Sequence, residues 1–232
     1  MIPLFVGIDP RESIGLHVFN HSVWSRASVP VSITPVHGFT DGTNAFTLAR
    51  FLIPYYMGYT GFAIFADGSD MLCMADIAEL WALRNPYRAV QVVKHDYQTR
   101  WPRKYLGQPN LDYPRKNWSS LMLINCAHFA WRNKITPENI GEMSGSTLHR
   151  FEFLKDEYIG ELPKQWNYLC MEPNQEGPAK IAHFTIGLPV WYSDSEYAKE
   201  WIAEKNKAVS YQYWSPTNPR PRGIGDGDVG VE

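Results

Sequence analysis

An almost wholly apolar run, GFAIFA at 61–66, stops on two carboxylates, Asp67 and Asp70, with Gly68 and Ser69 between them. A run this short and this apolar suits a strand buried on both faces, at the centre of a sheet covered by helices. Two acids at the end of such a strand repel each other unless a cation, a proton or a hydrogen-bond donor stands between them. Acid pairs are also ordinary turn formers, so residue types alone leave a turn followed by a helix cap beside a cation site.

The rest of the chain fits the sheet that this strand requires. LFVGI (4–8) reads as a first strand ending in the turn Asp9–Pro10, a helix is expected over 12–25, and VPVSI (29–33) is a second, β-branched strand. Residues 35–44 are loop in composition, and AFTLARFLIPYYM (45–57) reads as a helix disturbed by Pro54. A helix is expected directly after the acids, capped by Asp76 with Glu79 completing a capping box. AVQVV (89–93) and SSLMLIN (119–125) are the fourth and fifth strands. Between them, residues 94–118 hold four Pro or Gly and six Lys or Arg, the mark of a long functional loop. Thr136 and Pro137 announce a helix, IAHFTIG (181–187) a late strand or turn, and Ser193 with Glu196 a capping box for a C-terminal helix over 193–208. Strands alternating with helices give an α/β class with a mostly parallel sheet, in which ligands sit beyond the carboxyl ends of strands. Asp9, Asp67 and Asp70 all fall at such ends.

At 232 residues with 44% hydrophobic side chains the chain suits one domain, expected over 1–215. Residues 216–232 are rich in Pro and Gly, lack core formers, and are expected to be a disordered tail. A net charge of −2 argues against a nucleic-acid partner, and no apolar run approaches the roughly 20 residues of a membrane helix. Three dispersed cysteines (73, 126 and 170) fit a reducing compartment and neither a disulfide framework nor a zinc site. These features suggest a cytoplasmic protein.

FADGSDMLCMADIAELW resembles the DxD region of GT-A fold glycosyltransferases, particularly the glycogenin-like and galactosyltransferase-like family eight. FTLARFLIPYY (46–56), NWSSLMLINC (117–126), LPKQWNYL (162–169) and HFTIGLPVW (183–191) resemble further blocks of that family, in its order. The blocks VGIDPRE, VKHDY and PRKNWSSLMLIN also resemble phage and bacterial glycosyltransferase-like proteins, which would place the chain in a bacterial host if phage-encoded. The acid motif is one residue longer than DxD, and Leu188 and Pro189 occupy the region of a family lysine.

The resemblance implies a GT-A, Rossmann-like sheet flanked by helices and a transferase using Mn²⁺ or Mg²⁺. A hexose would pass from a UDP-sugar, UDP-glucose or UDP-galactose, to a glycan or small-molecule acceptor with retention of anomeric configuration. Asp70 and His183 would hold the metal, and Asp67 would complete its shell or hold the ribose. Asp9 and Arg11 would frame the uracil; Arg11, Arg50 or Lys94 would meet the diphosphate; Ile8, Gly68, Ser69 and Gly187 would approach the nucleotide sugar. Asn117, Trp118, Ser119 and Gln165 would face the sugar, with Asp70, Asn117, Ser119 and Gln165 as the catalytic set. Each has a plainer alternative: Trp118 and Trp166 as core, Arg50 as a helix-face residue, His95 as a loop anchor instead of a donor-sugar contact. A sugar-phosphate nucleotidyltransferase and a non-catalytic carbohydrate-binding module are the competing functions; the former normally has a Gly-rich loop where this chain has GIDPRE.

Overall fold

A computed structural model describes residues 1–40, 44–104 and 107–209. The expected tail at 216–232 and Tyr105 of the long loop lie outside the described residues. The strands are β1 (Ile2–Gly7), β2 (Val31–Val36), β3 (Phe62–Ala66), β4 (Met71–Cys73), β5 (Val90–Val92), β6 (Arg103–Lys104), β7 (Gln108–Pro109), β8 (Leu121–Asn125), β9 (Ile159–Glu161), β10 (Tyr168–Leu169) and β11 (Ile181–His183). The α-helices are α1 (Ser13–Trp24), α2 (Ile53–Tyr56), α3 (Ile77–Ala82), α4 (Pro137–Ile140), α5 (Gly145–His149) and α6 (Ala198–Ala208).

Six strands form the main sheet in the order β2-β1-β3-β8-β5-β9. β1 pairs in parallel with both β2 and β3, and β5 with β9, while β8 runs antiparallel between β3 and β5. The α/β class and the central place of β3 follow the sequence reading. Side chains alternate across the sheet with the period of two that a strand imposes. Phe65, Met122 and Ile124 enter the core on the α2 side, whereas Ile64, Leu121 and Leu123 pack with Leu16 and Phe19 of α1. Apolar side chains are thus needed throughout β3 and at 121–124 of β8, which explains runs without alternation.

A second sheet, β10-β11-β4, continues the chain past the acids. The helix expected directly after Asp70 is therefore delayed: Met71–Cys73 form β4 first, and α3 follows with Asp76 as its N-cap, accepting from Ala78 N at 2.9 Å. Glu79 pairs with Lys180 Nζ at 2.5 Å. The expected helix over 45–57 is shorter, a one-turn 3₁₀ segment at Ala49–Leu52 running into α2, where Pro54 lies in the first turn and displaces no hydrogen bond. The C-terminal helix begins at Ala198, not at 193. Tyr197 takes a left-handed conformation (φ 62°) that interrupts any earlier helix, and Glu196 Oε2 accepts from Met171 N at 2.5 Å, so Ser193 and Glu196 form no capping box. Among the described residues no helix is long and apolar enough to cross a membrane.

Candidate functional site

Three strand ends meet at one edge of the main sheet. After β1, Asp9 caps a single 3₁₀ turn (Pro10–Glu12), accepting from Arg11 N at 3.0 Å, and its other oxygen takes Arg11 Nη2 at 2.6 Å. After β3, Asp67 N donates to Ser120 O at 2.9 Å and the chain turns through Gly68 at φ +74°. A Cβ on Gly68 would come within 2.1 Å of Val6 Cγ1, so both the conformation and the space require glycine. β4 then pairs antiparallel with β11, setting His183 opposite Met71, and Phe184 N donates to Asp70 O at 2.8 Å. This register brings Asp70 and His183 together across 113 positions of sequence.

Asp67, Asp70 and His183 each present a ligand atom within 4.8 Å of the others'. His183 is buried, with Nδ1 2.9 Å from Asn167 Oδ1 and Nε2 3.3 Å from Asp70 Oδ2. Asp70 Oδ1 is buried and meets no hydrogen-bond partner among the described residues. Arg50, 3% exposed, donates from Nη1 to Asp67 Oδ1 at 2.5 Å and to Ser119 O at 3.1 Å, with its guanidinium over the rings of Phe46 and Phe65.

The electrostatics are those of crowded carboxylates. Burial raises the Asp67 carboxyl to about 6, against the opposing pull of Arg50. Burial also disfavours ionised Asp70, but the adjoining His183 imidazole outweighs it and holds that carboxyl below its usual range. Glu12, at the end of the Asp9 turn, is raised to about 8 by burial and by the charges of Asp70, Asp9 and Asp67. An orphaned carboxylate oxygen, a second carboxylate and an imidazole nitrogen form a donor set suited to a hard or borderline divalent cation. The Mn²⁺ or Mg²⁺ implied by the resemblance fits these residues.

The three side chains lie in a cleft of about 1070 Å³, large enough for a ligand with several rings. Asp9, Arg11 and Arg50 line it beside the acid turn, as do Ser69 and Gly187. Asn117 and Ser119 line it from the entry to β8, Ser119 Oγ being 2.6 Å from His149 Nδ1. The remaining expected residues lie outside that lining. Ile8 N is tied to Val36 O, and Gly68 serves the turn. Lys94 stands over the Trp118 ring, whose Nε1 donates to the carbonyl of His95 at 2.9 Å. The His95 imidazole is buried and pushed down to about 3, mainly by that burial. Gln165 packs beside Gly177.

Sequence reading missed three residues of the site. Glu12 stands within the VGIDPRE block and Asn167 within LPKQWNYL, so both were visible as parts of motifs but carried no role. Glu172 had no signal; it is buried in the cleft wall, takes Thr99 Oγ1 at 2.7 Å on one oxygen, and leaves Oε2 without a partner.

No protein-family model matches the chain. It is 38% identical to Protein CDI of Arabidopsis thaliana, over 87% of this chain and 85% of that protein. Among solved structures it is similar to the galactosyltransferase LgtC in complex with donor and acceptor sugar analogues, with a TM-score of 0.59 at 12% identity, covering 90% of this chain and 97% of that one. It is similar to the glycosyltransferase GlyE of Streptococcus pneumoniae TIGR4, with a TM-score of 0.55 at 14% identity over 88% of this chain and 60% of that one. The bifunctional glycosyltransferase WbbM gives a TM-score of 0.55 at 15% identity over 88% of this chain, which spans about half (49%) of WbbM. The arrangement of sheet and helices is thus the GT-A fold.

Proposed function

Because the chain belongs to the family of Protein CDI of Arabidopsis thaliana and is built on the GT-A fold, we propose that it is a glycosyltransferase, dependent on a divalent cation, that moves a hexose from a UDP-sugar to an acceptor hydroxyl with retention. One observation carries this reading: at the sheet edge where such folds place their ligand, Asp70 lines the cleft beside the His183 imidazole with a buried oxygen that no described residue partners. Asp70 and His183 would hold Mn²⁺ or Mg²⁺, with Asp67 completing the set. When bound, the cation supplies Lewis-acid stabilisation of the charge that gathers on a departing nucleoside diphosphate.

The protein's own groups divide the remaining work. Asp9 holds Arg11 by its main chain and guanidinium, and the pair forms a rigid edge at the first strand end where a uracil would be framed. Arg50 is 3% exposed and taken up by Asp67 and Ser119 O, so it shapes the acid turn, and the diphosphate falls to Lys104 on the cleft wall and to Arg11, which is half exposed although Asp9 holds it. Asn117 and Ser119 face the transferred sugar. Tyr97 and Glu172 form the acceptor side, where a buried carboxylate oxygen favours a hydroxyl-rich acceptor over an anionic one. The complex of LgtC with donor and acceptor sugar analogues supports two sugar-bearing ligands in one cleft.

The test is incubation with UDP-glucose and with UDP-galactose, each with and without Mn²⁺, followed by product analysis. Cation-dependent release of UDP is expected. Formation of UTP when pyrophosphate is added would favour a nucleotidyltransferase, and binding without turnover across a panel of acceptors would favour a carbohydrate-binding module.

A further inference from the structure

Asn167 is fully buried at the end of a one-turn helix, Lys164–Asn167, just before β10. Its amide meets three partners: Nδ2 is 3.2 Å from the main-chain carbonyl of Asn117 and 2.9 Å from Ser120 Oγ, and Oδ1 is 2.9 Å from His183 Nδ1. A peptide carbonyl can only accept, so the atom facing Asn117 is the NH₂ group. The reverse orientation would set oxygen against oxygen in a buried position, with the cost of an unmade hydrogen bond. Ser120 agrees with this polarity, because its hydroxyl donates to the same Asn117 carbonyl at 2.7 Å and accepts from Asn167. Oδ1 therefore faces the imidazole, and Nδ1 must carry the hydrogen that it accepts. A neutral imidazole has one N–H; with it on Nδ1, Nε2 is bare, and the Asp70 carboxylate 3.3 Å away, itself only an acceptor, can share that nitrogen only through a proton or a cation.

We propose that Asn167 is a positioning residue that fixes the Nδ1–H tautomer of His183 and so presents Nε2 to the cation as a lone pair; the inference rests on the cation reading above. The frame that holds the amide extends further. Ser120 O accepts from Asp67 N at 2.9 Å, so Ser120 links the acid turn to the amide that meets the histidine. Asn117 sits at φ 62° and donates from Nδ2 to Tyr97 OH at 2.7 Å, which ties the tautomer to the end of the 94–118 loop. A partner on the far ring nitrogen is a recurrent device for aiming a ligating histidine, and its loss typically costs about 10–100-fold in metal affinity.

The test combines ¹⁵N-histidine NMR of the full-length, metal-free protein at alkaline pH with Mn²⁺ affinity by electron paramagnetic resonance. The expected spectrum places the His183 hydrogen on Nδ1. Asn167→Leu should lower Mn²⁺ affinity about 10–100-fold and mix the tautomers. Asn167→Asp, which keeps an acceptor at Nδ1, should retain both the tautomer and most of the affinity even where it loses stability against the Asn117 carbonyl. A wild-type hydrogen on Nε2, or wild-type Mn²⁺ affinity in folded Asn167→Leu, would overturn the inference. If the wild-type protein has the Nδ1–H tautomer but binds no Mn²⁺, the cation reading fails and the tautomer assignment stands.

Discussion

Asp70 has a buried oxygen with no hydrogen-bond partner among the described residues, and it shares its other oxygen with a histidine from a strand 113 positions away. Asp70→Asn and His183→Ala should each lower cation-dependent UDP-sugar turnover by about a hundredfold or more while leaving circular dichroism unchanged, because each removes charge stabilisation at the leaving group. Wild-type turnover in His183→Ala would reduce HFTIGLPVW to a packing motif. Glu12 gives a separate test. Its carboxyl is raised to about 8, so the folded protein keeps a proton that the unfolded chain releases near the ordinary carboxylate value. The stability it contributes is therefore full at low pH and is lost as pH rises through that window. Asp67, raised to about 6, acts in the same sense, and Asp70, lowered, in the opposite one. The melting temperature of the metal-free protein should fall between about pH 5 and pH 8.5, and Glu12→Gln should flatten part of that fall; identical pH profiles for the two would contradict this. Asp67, Asp70 and His183 were legible as residues because they stand in motifs. Their electrostatics were not, since burial and the Arg50 partnership arise only when distant segments meet.

Helix α1 fits against the acid turn only because residue 15 lacks a side chain. A Cβ there would lie 1.7 Å from Ser69 O, a clash with backbone that no rotamer relieves. Gly15→Ala should cost about 1–3 kcal/mol by denaturant unfolding, as overpacking does, and should weaken Mn²⁺ binding by displacing residues 67–70; a variant as stable as wild type would show that the turn yields freely. The 94–118 loop makes a second prediction. Lys104 lines the cleft, whereas Arg103 Nη1 donates to Gly107 O at 2.9 Å. Lys104→Ala should therefore lower both donor hydrolysis and transfer to acceptor severalfold more than Arg103→Ala does, because a diphosphate contact serves both reactions; equal effects of the two variants would contradict the assignment. At this scale the long apolar strands β3 and β8 were legible from residue order, because burial on both faces leaves a continuous signal. β4, β9 and β10 span only two or three residues each, too few to show a period, whereas β11 falls within the late strand or turn expected over 181–187. The start of α6 was hidden for another reason: the left-handed Tyr197, whose hydroxyl accepts from Ala179 N at 3.0 Å, interrupts a good capping pattern.

The molecule as a whole brings the ends of β1 and β3 from the main sheet and of β11 from the second sheet to a single cleft, and the turn from β3 into β4 joins the two sheets. The main sheet could be read from the alternation of elements, whereas the second sheet required the structure because its strands are distant in sequence. Truncation after Ser215 should leave the melting temperature and UDP binding unchanged, since residues 216–232 hold few apolar side chains; a fall of more than a few degrees would show that they pack. The central claim is that Asp67, Asp70 and His183 hold one cation, against which a nucleoside diphosphate is bound. The most direct measurement is anomalous diffraction at the manganese edge from crystals grown with Mn²⁺ and UDP. A single peak among these three side chains, with the diphosphate density against it, is the predicted result. A diphosphate bound in the cleft with no manganese peak at Asp70 and His183 would contradict the account.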